Sequence, residues 1–263
     1  MPGFVHHIQW SVQSLQRTVQ YLSQQWGSMV VARRVGEVVL RAGTTTFLIS
    51  QKKIDNIRQE EVEGEQDYPR IECCPFQECL HGDSVFNICL EVDSVDTTCM
   101  VMEEKGSTVF TRPRIINTAQ GPITFALVSS PCENVIHALV NTKQFRGHFL
   151  PGFVQEMGVT QDSVGLTYMD HITYVCRVGE SKDILDWYRD TCGMARFLIS
   201  QGEGEDGTVI EGDVGIRLKV GEWLSEWLCR EVGGQTEHSD KERNFRLVLA
   251  EPLQEDGQDH VNR

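Results

Sequence analysis

The chain has 263 residues, 40% of them apolar, and a formal net charge of −14. That length holds one large domain or two of medium size. The acidic balance opposes nucleic acid and anionic membrane surfaces as partners. No apolar run approaches the roughly 20 residues that a membrane-spanning helix needs, so a soluble protein with no membrane span is expected.

The first 36 residues contain Arg17, Arg33 and Arg34 and no acid. Acid-poor, Ser- and Arg-containing amphipathic starts resemble mitochondrial import sequences, although the same residues also read as the first strand and helix of the fold. A strand is expected over 4–12, carrying His6 and His7. Behind it Leu15, Val19, Leu22 and Trp26 fall on one helical face. Ser14 suits the N-cap and Gly27 the left-handed stop. Strands are expected at 29–34, 37–42 and 45–50. The stretch from Asp55 to Glu91 holds much of the acid and reads as a solvated loop.

A second unit of the same pattern starts at Ser84–Val92. Ser94 caps a helix bearing Val95, Cys99 and Met102, Gly106 ends it, and strands follow at 108–110, 123–129 and 134–140. A third starts with Met169-Asp170-His171-Ile172-Thr173-Tyr174-Val175. Its helix carries Ile184, Leu185, Trp187 and Tyr188 and stops at Gly193, with strands expected at 194–200, 207–211 and 214–220. The spacing from strand centre to closing glycine is 20, 19 and 22 residues (His7 to Gly27, Asn87 to Gly106, His171 to Gly193). The fold class is therefore α+β, built of βαβββ modules that pack in pairs around a curved sheet. Modules one and two form a complete N-terminal domain over 1–145. Module three begins a partial C-terminal domain over 166–263, with a linker at 146–165 between them. After module three the chain offers 222–232, 245–249 and a polar tail, without a fourth strand–helix–glycine unit.

The nine cysteines are at 73, 74, 79, 89, 99, 132, 176, 192 and 229. An odd number without a secretory leader reads as reduced thiols inside the cell. Cys73, Cys74 and Cys79 hint at zinc, but adjacent cysteines make poor tetrahedral partners and no second Cys-x-x-Cys follows. Structural or incidental thiols are the preferred reading.

Phe145-Arg146-Gly147-His148-Phe149-Leu150-Pro151-Gly152-Phe153 resembles the interdomain linker of 4-hydroxyphenylpyruvate dioxygenases, members of the vicinal oxygen chelate superfamily. His81-Gly82-Asp83-Ser84-Val85 through Leu90-Glu91-Val92 resembles their N-domain strand, and Asp170-His171-Ile172 the start of their catalytic domain. Val128-Ser129-Ser130-Pro131 and Val248-Leu249-Ala250-Glu251 resemble the dioxygenase-like branch. The resemblance runs across nearly the whole chain. It implies a vicinal oxygen chelate fold and a mononuclear Fe(2+) enzyme, with two histidines and one glutamate on one face of the metal. A 2-oxo acid substrate and O₂ take the open positions, and the dioxygenase-like branch implies 4-hydroxymandelate as product, in mitochondria, for coenzyme Q (ubiquinone) synthesis. Failing mitochondria, the cytoplasm is expected.

By resemblance His171 is the first iron ligand. The other two belong to a fourth module, and His238 and His260 read as surface residues, so the expected metal site holds His171 alone and the chain reads as a C-terminally incomplete, half-open copy. The equivalent N-domain positions are His7, Asn87 and Ala138, with His137 turned to the opposite face. That domain reads as a non-catalytic scaffold with His7 hydrogen-bonded in its core. Ala250 and Leu218 replace an asparagine and a serine of the dioxygenases, which makes the pocket less polar. The alternative function is a non-enzymatic binding or dimerisation module, in which module three pairs with a second copy as a homodimer and the segment Glu222–Leu228 covers the interface. Tryptophans that simply pack on the sheet are preferred to that cover. A glyoxalase-like isomerase is opposed by Asn87 and Ala138.

Overall fold

The computed structural model describes residues 2–52, 68–71, 82–132, 134–156, 164–211, 215–223 and 245–253. The chain divides into two compact units, Val5–Tyr168 and Met169–Arg263, the latter grouped with Met1–Phe4.

In the first unit β1 (Pro2–Val12) leads into α1 (Leu15–Gln25), followed by β2 (Met29–Arg34), β3 (Glu37–Ala42) and β4 (Thr45–Gln51). The chain then repeats the sequence: β5 (Ser84–Val92), α2 (Val95–Glu104), β6 (Val109–Ile116), β7 (Ile123–Ser129) and β8 (Ile136–Asn141). In both modules the first strand runs parallel to the fourth, Ile8 opposite Phe47 in one and Leu90 opposite Leu139 in the other. The helices start and stop as their sequences dictate. Ser14 Oγ accepts from the Arg17 amide at 3.4 Å and Ser94 Oγ from the Thr97 amide at 3.2 Å, satisfying N–H groups that have no partner within the helix. The two modules join into one nine-stranded sheet of order β6-β7-β8-β5-β1-β4-β3-β2-β9, where β9 is Val154–Gln155.

Strand β6 is longer than the 108–110 expected from sequence. It contains Pro113, which cannot donate to a ladder. The strand lies at the edge of the sheet, where proline is tolerated, and its register shifts twice, between Val109 and Thr111 and again before Arg114.

The core of this unit draws on both modules and on the segment after β8. Tyr68, Phe86, Cys89, Phe125, Ile136 and Ala138 are buried together with Phe145, Phe149 and Leu150. The aromatic-x-Gly-x-Phe-Leu-Pro-Gly stretch thus packs as part of the first unit. Phe149 meets Phe153 edge to face at 5.0 Å, and the Arg34 guanidinium lies 4.5 Å over Phe153. The unit closes where the Thr44 amide donates to the Thr167 carbonyl at 2.8 Å. Gly43 permits that approach: its φ is +58° and an added Cβ would lie 2.0 Å from the same carbonyl oxygen.

The second unit contains β10 (His171–Val175), α3 (Ser181–Cys192), β11 (Ala195–Phe197), β12 (Thr208–Ile210), β13 (Ile216–Glu222) and β14 (Arg246–Pro252). Its sheet has the order β10-β14-β13-β11, with β12 also paired to β13. The strand that completes the βαβββ pattern is β14, parallel to β10 with His171 opposite Arg246. The sequence reading closed the module at 214–220 instead. Thr208–Ile210 and Ala195–Phe197 both pair with β13, at opposite ends of it, so two of the expected strands share the place of one. The long polar stretch after β13 hid the true fourth strand.

Helix α3 ends at Gly193, whose φ of +68° gives the left-handed cap. Its start has no side-chain cap of its own. Glu251, from β14, takes that role by accepting from the amides of Gly179 and Ser181 at 3.2 and 3.3 Å. Trp223 packs against the helix as a sheet-covering residue: its Nε1 donates to the Cys192 carbonyl at 3.0 Å and its ring stacks on Phe245 at 5.3 Å. Residues 224–228, the rest of the segment for which an interface cover or sheet packing is expected, lie outside the described residues.

Candidate metal centre

His171 is the first residue of β10, an edge strand. Alternation places His171, Thr173 and Val175 on one face, and all three are exposed, whereas Ile172 and Tyr174 are half-buried. The imidazole is held from one side. Its Nδ1 lies 2.7 Å from Asp170 Oδ2. Asp170 in turn accepts from Arg246 at 3.0 Å through its other oxygen, and Arg246 Nε donates to Glu222 at 2.9 Å. The Arg246 guanidinium rests 4.3 Å over the Phe197 ring. A chain of charges across β13, β14 and β10 therefore fixes the carboxylate that fixes the ring. A carboxylate on Nδ1–H selects the tautomer whose Nε2 lone pair is free, the arrangement that metal-binding histidines commonly use.

Among the described residues His171 belongs to no group of three metal-capable side chains. Glu251 is the buried acid of the neighbouring strand, but it lies five residues along the ladder from the Arg246 that faces His171, a distance of about 16 Å at the rise of a strand. Glu251 is also fully engaged, by the α3 amides and by Arg217 Nη1 at 2.9 Å. Burial pushes its carboxyl up, and the hydrogen bonds from Ser181 and Arg217 outweigh that and hold it below the usual carboxylate range. The described residues thus supply one of the three donors that an iron(II) facial site needs, and they do not by themselves fit that metal. His238 and His260 lie outside the described residues, as do Cys73, Cys74, Cys79 and Cys229. Ala250 and Leu218 prove to be cross-strand partners in the β13–β14 ladder, so the two losses of polarity occur at one place.

The corresponding positions in the first unit are closed. Asn87 donates to Gln9 Oε1 at 2.9 Å and accepts from the Ala138 amide at 2.9 Å. Gln9 Nε2 donates to Ser50 Oγ at 2.9 Å, Ser50 donates to Glu37 at 2.6 Å, and Glu37 pairs with Arg34. His137 faces away from this network, with Nδ1 2.8 Å from the Ile88 carbonyl, and burial lowers it to about 4.

His7 is buried and hydrogen-bonded, as expected, and its partner is the neighbouring histidine. Its Nδ1 lies 2.8 Å from Nδ1 of His6, and its Nε2 is buried with no hydrogen-bond partner. With Cys89 these two histidines form the one group of three metal-capable side chains found among the described residues. The sequence reading passed over His6 and Cys89. A signal was present: Cys89 follows Asn87 by two, so alternation sets it on the same face of β5. Cys89, Cys99, Cys132, Cys176 and Cys192 are all buried, in keeping with structural thiols. Burial pushes Cys176 and Cys192 up to about 12.

No model of a known family matches the chain. It is 26% identical over 219 residues to the mouse (Mus musculus) 4-hydroxyphenylpyruvate dioxygenase-like protein, covering 82% of this chain and 53% of that protein. The human (Homo sapiens) dioxygenase-like protein is 33% identical over 117 residues, 43% of this chain and 31% of that protein. The 4-hydroxyphenylpyruvate dioxygenase of Yarrowia lipolytica is 23% identical over 203 residues, 73% of this chain and 49% of the enzyme. The chain spans about half the length of these relatives, or less. Among solved structures, a triple mutant of 4-hydroxymandelate synthase from Streptomyces coelicolor superposes with a TM-score of 0.63 at 16% identity, over 96% of this chain and 63% of the enzyme. Mixed sheets, repeated βαβββ units and these likenesses agree: the chain is a relative, by sequence and by fold, of the 4-hydroxyphenylpyruvate dioxygenases and dioxygenase-like proteins, built on the vicinal oxygen chelate fold.

Proposed function

We propose that the chain acts in iron(II)-dependent oxidation of a 2-oxo acid by O₂, with His171 as the first metal ligand and the remaining donors drawn from outside the described residues. The observation that carries this reading is the Asp170–His171 pair, which holds Nδ1 and leaves the other ring nitrogen for a metal on an exposed sheet face. Bound iron would supply chelation of the 2-oxo acid head group and a site for O₂. Because the described donors do not complete the metal's coordination, no reaction step is assigned to them. The chain's own contribution is positioning. Asp170, Arg246 and Glu222 set the ring, and Leu218 beside Ala250 offers a wall with few polar groups. The kinship supports 4-hydroxyphenylpyruvate as substrate and 4-hydroxymandelate as product for coenzyme Q synthesis. The acid-poor first 36 residues support a mitochondrial location. In this assignment residues 1–145 are scaffold, 146–165 linker and 166–263 a partial catalytic-type domain.

A second reading is favoured by one observation. Val175, Leu198, Ile199, Val209 and Ile210 are exposed in the second unit, a surface suited to pairing with another copy of the chain as a non-enzymatic module. Anaerobic titration of the full chain with iron(II), with and without 4-hydroxyphenylpyruvate, separates the two. Binding that is lost in His171→Ala supports the enzyme. Binding or turnover indifferent to His171→Ala overturns the role of that residue. Absence of iron binding, together with a dimer in sedimentation, favours the second reading.

A further inference from the structure

The first unit contains a donor cluster that the proposed reaction does not use. His6 and His7 are consecutive on β1, and Cys89 lies on β5, the neighbouring strand in the sheet. Each offers one donor atom, and the three atoms lie within 4.8 Å of one another. Consecutive residues of a strand ordinarily point to opposite faces, yet these two rings bring their Nδ1 atoms to 2.8 Å. At that distance the pair shares one proton, so one nitrogen presents a lone pair to the other. The second nitrogen of His7, Nε2, is buried without a partner. It is an orphaned N–H in one tautomer and a bare lone pair in the other, and either is costly to bury. Phe149 closes the cluster, its ring 5.4 Å from His6 and 5.1 Å from His7.

The donor set is two imidazoles and a thiol. An imidazole binds a metal through a neutral ring nitrogen, and both rings are enclosed near Phe149. Burial raises the Cys89 thiol, with a further push from Glu91. Glu91 is occupied elsewhere, accepting from the Thr142 amide at 2.7 Å and the Thr142 hydroxyl at 2.9 Å. Nitrogen and sulfur donors without a carboxylate suit zinc rather than the iron of a two-histidine, one-carboxylate site.

We propose that His6, His7 and Cys89 bind a zinc-class divalent cation, with three protein ligands and a fourth position open. Ligand bonds of about 2.0–2.3 Å set tetrahedral donors roughly 3.3–3.8 Å apart, so atoms that lie within 4.8 Å of one another draw together by about 1.5 Å at most. On binding, the Cys89 thiol gives its proton to solvent and holds the metal as thiolate. No electron is transferred. The cation removes the unpaired nitrogen of His7 and fastens β1 to β5, where the two modules of the unit join.

The test uses the full chain, reduced and stripped with a chelator, and cobalt(II) as the probe. A thiolate-to-cobalt charge-transfer band with tetrahedral cobalt absorption, displaced by zinc, is the expected result. The thermal midpoint should rise with saturating zinc, as a native-state ligand requires. Cys89→Ala should delete the charge-transfer band. His6→Gln, at a half-buried position, should weaken binding more than about tenfold and carries the test if Cys89→Ala fails to fold. The band should persist in the Cys73→Ser/Cys74→Ser/Cys79→Ser variant and in His171→Ala, which separates this site from the iron reading. A wild-type chain without the band, or a band that survives Cys89→Ala or disappears with the 73/74/79 thiols, overturns the proposal.

Discussion

Strands β1 and β10 open equivalent modules and carry a histidine at the same place, yet they meet different surroundings. β1 lies inside a nine-stranded sheet, and His7, Gln9 and Ser11 on one of its faces are all buried. β10 lies at the edge of its sheet, and His171, Thr173 and Val175 are exposed. The modules share a plan; what differs is the partner. A βαβββ unit cannot cover both faces of its sheet, and the first unit solves this with a second module and the Phe145–Phe153 stretch. Where a face is filled, its histidine becomes part of the core. Where it stays open, the histidine keeps a free nitrogen and a carboxylate behind it.

The sharpest way to break this contrast is to place the same charge on both strands. Gln9→Lys puts an ammonium into the buried Asn87–Gln9–Ser50–Glu37 network and should destabilise the first unit by about 3–5 kcal/mol. The equivalent Thr173→Lys should stay within about 0.5 kcal/mol. Denaturant melts of the two variants measure both, and equal costs would mean that the β10 face is covered. Next in size, Phe149→Ala should cost about 3–5 kcal/mol in the first unit, because the ring is part of that unit's core cluster.

Glu251→Ala should cost the second unit about 3 kcal/mol. It strands Arg217 and removes the acceptor from the α3 amides. The sign with pH follows from the lowered carboxyl. Its contribution is complete above the ordinary carboxylate range of the unfolded chain and is lost as pH falls through the lower folded value. Acid melts of wild type should therefore lose stability that Glu251→Gln never had. The smallest effect is at Gly193, where φ is +68°. Gly193→Ala should cost about 1 kcal/mol through the left-handed strain, seen as faster exchange in the last turn of α3.

Much of this was legible in the sequence because local chemistry set it. Ser14, Ser94, Gly27, Gly106 and Gly193 mark helix ends by hydrogen bonds and φ angles that short-range sequence controls. The repeat spacing gave the modules in the same way. What was not legible depended on contacts distant in sequence. β14 completes its module from 24 residues beyond β13. Glu251 caps a helix some 70 residues earlier. The strand expected at 108–110 runs on to Ile116 through Pro113, because the edge position that tolerates a proline is a property of the whole sheet. At the candidate sites, His171 stood out through its motif, whereas Arg246 and Glu222 behind Asp170 did not. The His6–His7–Cys89 group joins residues 82 positions apart; alternation gives the face of Cys89, but the pairing of β1 beside β5 that brings it to the histidines is set by the whole sheet.

The most direct measurement of the central contrast is histidine modification by diethyl pyrocarbonate, read by mass spectrometry on the folded chain after metal has been stripped and the chelator removed. His171, with its exposed free nitrogen, should react early, and added iron(II) should slow it. His7 and His137 should react only on denaturation. Early modification of His7 with His171 protected would contradict the assignment of one histidine to a closed core and the other to an open site.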